Sequence, residues 1–277
     1  MDPQNPASFN HRTETLSTGR TYHFVDQLPD SYDPKQTPTL LCVHGFPDLW
    51  YGWRYQIGPW VRKGCRVVVP DMLGYGGTDK PADASEYSTK KLCVDLAALL
   101  DLLGVRQAVV VGHDWGAYTA GRFALWYPKR LLALVIMSVP YTPPSRIYIP
   151  VEDVAKLAPN LGYQADFANP ATTTDIEANL ERFLSITFRK APSNENYLRQ
   201  GTLKKVLRAT GEGPSVLNDN EFQYYLSELK KGMTGPLKYY RTAKYRYDEE
   251  QAAGLPAHLP PYLPVLFLWG TLDRCCA

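Results

Sequence analysis

A single aspartate set among small residues is the first chemically informative feature of this chain. Gly112-His113-Asp114-Trp115-Gly116-Ala117 follows directly on the strand-like triplet Val109-Val110-Val111 and leads into a helical pattern. Small residues at Gly112, Gly116 and Ala117 let a strand bend sharply into a helix without side-chain collision. The central side chain is then pushed outward at the carboxyl edge of a sheet, the geometry of a nucleophile elbow with Asp in place of Ser. A competing assignment is plainer: an aspartate between a strand and a helix caps the helix by accepting backbone N–H bonds. A second segment bears on the choice. His44-Gly45-Phe46-Pro47-Asp48 closes the apolar run 39–43. At elbow sites, one N–H from such a loop and one from the residue after the nucleophile hold a developing oxyanion. Here those donors are the backbone N–H groups of Phe46 and Trp115. His44, Gly45 and Pro47 shape the loop, and Gly112 and Gly116 the turn.

The elements that must position these groups follow from hydrophobic patterning. Short strands are expected at 13–16 and 21–25 around a Gly19 turn, and buried strands at 39–43, 65–69, 108–111 and 131–137. Between them, 88–103 places Leu92, Leu96, Leu99, Leu100 and Leu103 at helical spacing with Ser88 as N-cap, and 117–127 reads as a helix. This alternation predicts an α/β fold, a mostly parallel sheet with helices on both faces. After Pro140, Pro143, Pro144 and Pro150 the strand signals stop, and helices are expected over 152–157, 174–188, 220–231 and 236–247. Strand character returns at 265–269 behind a second proline-marked linker. The expected organisation is a core (1–140), an inserted helical lid (141–255) and a second core segment (256–277).

Composition narrows the function. Formal net charge is +2 and no basic block occurs, which argues against nucleic acid as a partner. The polar N-terminus lacks a signal core, and the apolar run 131–139 is too short to span a bilayer. Five cysteines, an odd number, without a secretory signal point to a reducing, cytoplasmic setting. Cys42, Cys65 and Cys93 read as small buried hydrophobes. No Cys/His spacing fits a metal site, and no nucleotide or flavin motif is present, so no cofactor is expected. Oligomeric state is left open.

With these motifs in place, the chain resembles the epoxide hydrolases of the α/β-hydrolase fold. His44–Asp48 (HGFPD), residues 70–81 (PDMLGYGGTDKP) and 112–117 (GHDWGA) carry the resemblance, which runs from the first strands to Asp273. It implies that Tyr163, in Leu161-Gly162-Tyr163-Gln164, and Tyr240, in Gly235-Pro236-Leu237-Lys238-Tyr239-Tyr240-Arg241, donate hydrogen bonds to an epoxide oxygen. The small-molecule epoxide and water are then the reactants. Asp114 opens the ring to a hydroxyalkyl ester, and water attacks that ester while Phe46 and Trp115 hold the oxyanion.

The resemblance also implies that Asp273, in Leu268-Trp269-Gly270-Thr271-Leu272-Asp273, orients a catalytic histidine lying beyond one more strand. These 277 residues do not contain that histidine, nor the last strand and helix of such a core. His11 and His23 lie near the start, His44 belongs to the oxyanion loop, His113 should point away from the elbow, and His258 sits in the proline linker. Ring opening without efficient ester hydrolysis is the expectation. Two alternatives accompany it. A haloalkane dehalogenase-like hydrolase shares the Asp-Trp pair but commonly has asparagine where this chain has Phe46. A non-catalytic ligand-binding or interaction protein on the same scaffold would explain the absent base.

Overall fold

A computed structural model describes residues 1–190, 197–209 and 215–273. The tail, with Cys275 and Cys276, lies outside them. The core elements are β1 (His11–Thr15), β2 (Thr21–Gln27), β3 (Thr39–Val43), α1 (Arg54–Arg62), β4 (Arg66–Pro70), α2 (Thr89–Leu102), β5 (Ala108–His113), α3 (Trp115–Trp126) and β6 (Leu131–Met137). Helices α4 (Val151–Leu157), α5 (Tyr163–Ala168), α6 (Ala171–Glu177), α7 (Leu180–Thr187), α8 (Leu203–Arg208), α9 (Asp219–Leu229), α10 (Thr234–Lys238) and α11 (Ala243–Ala253) follow, and β7 (Val265–Leu268) ends the series.

The seven strands form one sheet in the order β1-β2-β4-β3-β5-β6-β7. The β1–β2 and β2–β4 pairs are antiparallel; every pair from β4 to β7 is parallel. The expected α/β architecture is therefore present. Strands β3 and β4 are almost wholly buried, as their unbroken apolar runs require. Ser88 caps α2 by accepting the Lys91 N–H, and Leu92, Leu96, Leu99 and Leu100 face the core. Small residues on α3 (Gly116, Ala117, Ala120, Ala124) are buried and let it lie close on the sheet. Cys65 departs from expectation: it precedes β4 and is only partly buried, while Cys42 and Cys93 are buried.

Among the described residues, every helix or strand between β6 and β7 is helical. Two expected helices are broken. The span 174–188 divides into α6 and α7 because the Asn179 side chain donates to the Asp175 carbonyl at 2.8 Å and competes with the helical ladder. The span 236–247 divides into α10, a 3-10 turn at Tyr239–Arg241, and α11, with the Thr242 hydroxyl donating back to the Tyr239 carbonyl at 2.8 Å. Helices α5 and α8, each 6 residues long, carry too few turns to show a period and were not anticipated.

The helical segment is bolted to the core through α9. Glu221 completes a capping box with Asn218 and pairs with Arg54 at 2.9 Å, both side chains under one-tenth exposed. Tyr55 donates to the same carboxylate at 2.7 Å. Tyr225 donates to Asp48 at 2.6 Å, and the Trp50 indole donates to the Tyr224 hydroxyl at 2.9 Å. Burial alone would raise the Glu221 carboxyl; the Tyr55, Asn218 and Arg54 donors outweigh it and hold the group below its ordinary value. Glu221 thus stabilises the fold above the unfolded-state carboxyl pKa, and that contribution disappears as pH falls through the lower folded value. Glu221→Ala strands a buried guanidinium and should destabilise the chain by about 3 kcal/mol in urea unfolding, whereas an Arg54→Met, Glu221→Met double variant should lose less. Equal losses would mean the pair is not isolated from water.

Candidate active site

The elbow forms as the small residues require. Asp114 adopts φ 55° and ψ −121°, a left-handed conformation that a non-glycine residue reaches only under strain. A Cβ on Gly112 would overlap the Gly116 carbonyl, one on Gly116 would overlap Val43, and one on Gly45 would overlap the Asp114 side chain. Although Asp114 occupies the N-cap position of α3, its side chain makes no capping bond. Its Oδ1 instead accepts the Phe46 N–H at 2.7 Å, across 68 residues of sequence, and the Trp115 N–H also bonds the carboxylate. The helix-cap alternative is thereby displaced: the carboxylate rests in a two-donor cradle.

His44 is bonded through both ring nitrogens. Its Nδ1 donates to the Gly45 carbonyl at 2.8 Å, its Nε2 accepts the Met72 N–H at 2.9 Å, and Tyr75 meets it edge-on. Burial keeps its pKa below the ordinary imidazole range, which fits a neutral structural ring. The Phe46–Pro47 peptide is cis. Phe46 presents its ring to Phe167, Phe183 and Tyr240, with centroids at 5.1, 6.0 and 5.2 Å.

Tyr163, at the first turn of α5, and Tyr240, on the 3-10 turn, converge on the elbow. Tyr240 packs edge-on against Trp115 at 5.2 Å and against Tyr163 at 6.1 Å, and both tyrosines are buried. Burial first, then Tyr163 and Asp114, raise the Tyr240 pKa well above the ordinary phenol, so its hydroxyl stays a donor. Asp114 keeps part of its surface open to a cavity of about 150 Å³ lined also by Trp115, Tyr118, Tyr163, Gln164 and Arg246. Burial raises its carboxyl above the ordinary value, opposed by His113 and the Phe46 and Trp115 N–H donors.

Other expected residues fall elsewhere. Asp273 lies in the turn after β7, at the carboxyl edge of the sheet, two strands from β5. His113 points into a larger cavity, about 600 Å³, on a sheet face formed by Val109, Val111, Val135, Met137 and Leu268. That space is bigger than the Asp114 cavity but lacks the elbow carboxylate and Tyr163, both of which line the smaller one. His23 bonds Asp71 at 2.7 Å and His11 at 2.9 Å, near β1 and β2. Tyr118, Gln164 and Arg246 were missed. Tyr118 stands one helical turn past Asp114 and could have been found by that spacing; Arg246 on α11 had no such signal. No described helix is long and apolar enough to cross a membrane, and no metal-ligating cluster occurs among the described residues.

A strained aspartate at a strand–helix elbow of a mostly parallel sheet defines a hydrolase of the α/β type, and the α/β hydrolase fold family model matches residues 38–276. The chain is 33% identical over 252 residues to bifunctional epoxide hydrolase 2 of Mus musculus, covering 87% of this chain and 44% of that protein. It therefore spans less than half the length of this mammalian relative. It is 32% identical to epoxide hydrolase srdG of Neurospora crassa, covering 90% of this chain and 77% of the relative. Among solved structures it is similar to epoxide hydrolase A from Mycobacterium thermoresistibile, with a TM-score of 0.81, 30% identity, and coverage of 95% and 82% of the two chains. The chain belongs to the epoxide hydrolase family of the α/β-hydrolase fold.

Proposed function

We propose that this chain opens small-molecule epoxides by attack of the Asp114 carboxylate. The observation that carries this reading is the Asp114 carboxylate, held by the Phe46 N–H at 2.7 Å and facing a cavity shared with Tyr163. In the first step a carboxylate oxygen bonds to a ring carbon and the ring C–O bond breaks. The departing oxygen keeps the electron pair and takes a proton from Tyr240 or Tyr163, which water later restores. In the second step water adds to the ester carbonyl carbon. The oxygen already cradled by Phe46 and Trp115 becomes the oxyanion; as it collapses, the bond from the acyl carbon to the alkyl oxygen breaks. One water proton has restored the tyrosine hydroxyl, the other goes to the departing oxygen, and the diol leaves with the Asp114 carboxylate regenerated. We assign residues 141–255 as the lid over a core of 1–140 and 256–277, and Asp273 as the carboxylate that would orient a water-activating base. Phe46 offers a ring where a halide site would need a side-chain N–H, so an epoxide is favoured over a haloalkane. The free thiols Cys42, Cys65 and Cys93 support a cytoplasmic setting.

None of the described histidines lines the Asp114 cavity. We therefore infer that ring opening outruns ester hydrolysis in these 277 residues, since a general base typically contributes about 10²–10⁴-fold. Incubation with styrene oxide should add one epoxide mass to the peptide holding Asp114, and the adduct should persist. Its formation should accelerate as pH rises through a value above the ordinary aspartate range, because only the ionised carboxylate attacks and burial has raised its pKa. Rapid diol production with no accumulating adduct would overturn the slow second step; neither adduct nor diol would overturn the reading as a whole.

A further inference from the structure

Arg246 is the one cation on the wall of the Asp114 cavity, and its bonding is incomplete. Its Nε is buried with no hydrogen-bond partner among the described residues. The guanidinium carbon lies 5.0 Å from the ring centroids of both Trp115 and Tyr118, so two aromatic faces fix the cation in place. Arg122 supplies the contrast. It approaches the same Tyr118 ring at 4.6 Å, but it bonds Glu250 at 2.6 Å, the Thr142 carbonyl at 2.6 Å and the Tyr118 hydroxyl at 3.0 Å. The acids one turn along α11 from Arg246 are thus engaged elsewhere: Glu250 with Arg122, and Glu249 with the Ser88 hydroxyl at 2.9 Å. No described ion pair includes Arg246.

A buried guanidinium N–H without an acceptor is expensive, and an anion that enters the cavity meets on its wall a cation with no carboxylate paired to it among the described residues. We propose that Arg246 is a specificity determinant that selects epoxides carrying a carboxylate close to the ring, with the Gln164 amide as a second donor. This rests on the reading of Asp114 as the epoxide-opening nucleophile. The substrate carboxylate pairs with Arg246, the ring carbon meets Asp114 and the ring oxygen turns to the tyrosines. Pairing also offsets the repulsion that an anionic substrate meets from Asp114.

Glycidate and glycidamide test this, being the same size and differing in charge. Labelling rates of Asp114 are measured by intact mass for the unaltered chain, Arg246→Met and Arg246→Lys, with styrene oxide alongside. Arg246→Met should lower the glycidate-to-glycidamide rate ratio by about 10–100-fold, the effect of one charge-assisted hydrogen bond, and Arg246→Lys should restore part of it. A ratio unchanged in Arg246→Met overturns the inference. Labelling by styrene oxide but by neither small epoxide also overturns it and leaves the Asp114 reading standing. No labelling by any of the three overturns both.

Discussion

Asp114→Asn should abolish covalent capture of any epoxide, by at least about 10³-fold, without weakening the fold. Loss of capture is the half of this result that marks a nucleophile; a retained fold is expected of a cap as well. A capping aspartate exchanged for a non-capping residue loses stability, and Asn itself caps well; here no capping bond exists to lose. The electrostatic sign runs the same way. Burial raises the Asp114 pKa above its unfolded value, so its favourable contribution is fully present below the unfolded pKa and is lost as pH rises through the folded one. At neutral pH the ionised side chain opposes folding, and the neutral amide removes that opposition. Thermal unfolding of the variant should therefore match or exceed that of the unaltered chain at neutral pH, with the difference shrinking in acid. A less stable variant that still accepts epoxide would return Asp114 to the role of a structural residue.

Removing the phenol hydroxyls should be the next largest effect. Tyr163→Phe and Tyr240→Phe should each slow ring opening by about 10²-fold, the usual loss for one donor to a developing oxyanion, and the double variant should fall further. Phenylalanine keeps the ring contacts, with Phe46, Phe167 and Trp115 at position 240 and with Phe167, Tyr197 and Tyr240 at position 163, so a packing role alone would leave the rate in place. The readout is the initial rate of mass addition, with near-ultraviolet circular dichroism to verify that the aromatic wall is intact. The raised Tyr240 pKa adds a pH signature: ring opening should not decline through loss of this proton until pH passes beyond the ordinary phenol range. Rates unchanged in both single variants and in the double would remove the tyrosines from the reaction.

Much of this site was legible because its chemistry is tied to backbone shape. A strand feeding a sharp turn needs Gly112 and Gly116 where side chains would strike Gly116 and Val43, and those glycines are visible in the sequence. The loop from His44 to Asp48 was legible for the same reason, since Gly45 lies against Asp114. The core strands could be read because burial on both faces leaves unbroken apolar runs. The lid was harder. Asn179 and Thr242 break helices through side-chain bonds that periodicity does not register, and the helix bearing Tyr163 spans only 6 residues. Arg246 escaped notice because nothing in its local sequence marks it. Its position depends on α11 meeting α3 across more than a hundred residues, and on Arg122 having already taken Glu250.

Phe46 gives the reaction and the pocket wall a common hinge of inheritance. Its main chain donates to the Asp114 carboxylate while its ring is wedged among Phe167, Phe183 and Tyr240. A lineage that enlarges or narrows the wall for a new substrate therefore also tilts the amide that aligns Asp114. Changes of substrate range in this chain should come paired with changes in speed, and substitutions at Phe167 or Phe183 that look harmless alone should constrain which residue position 46 can accept next.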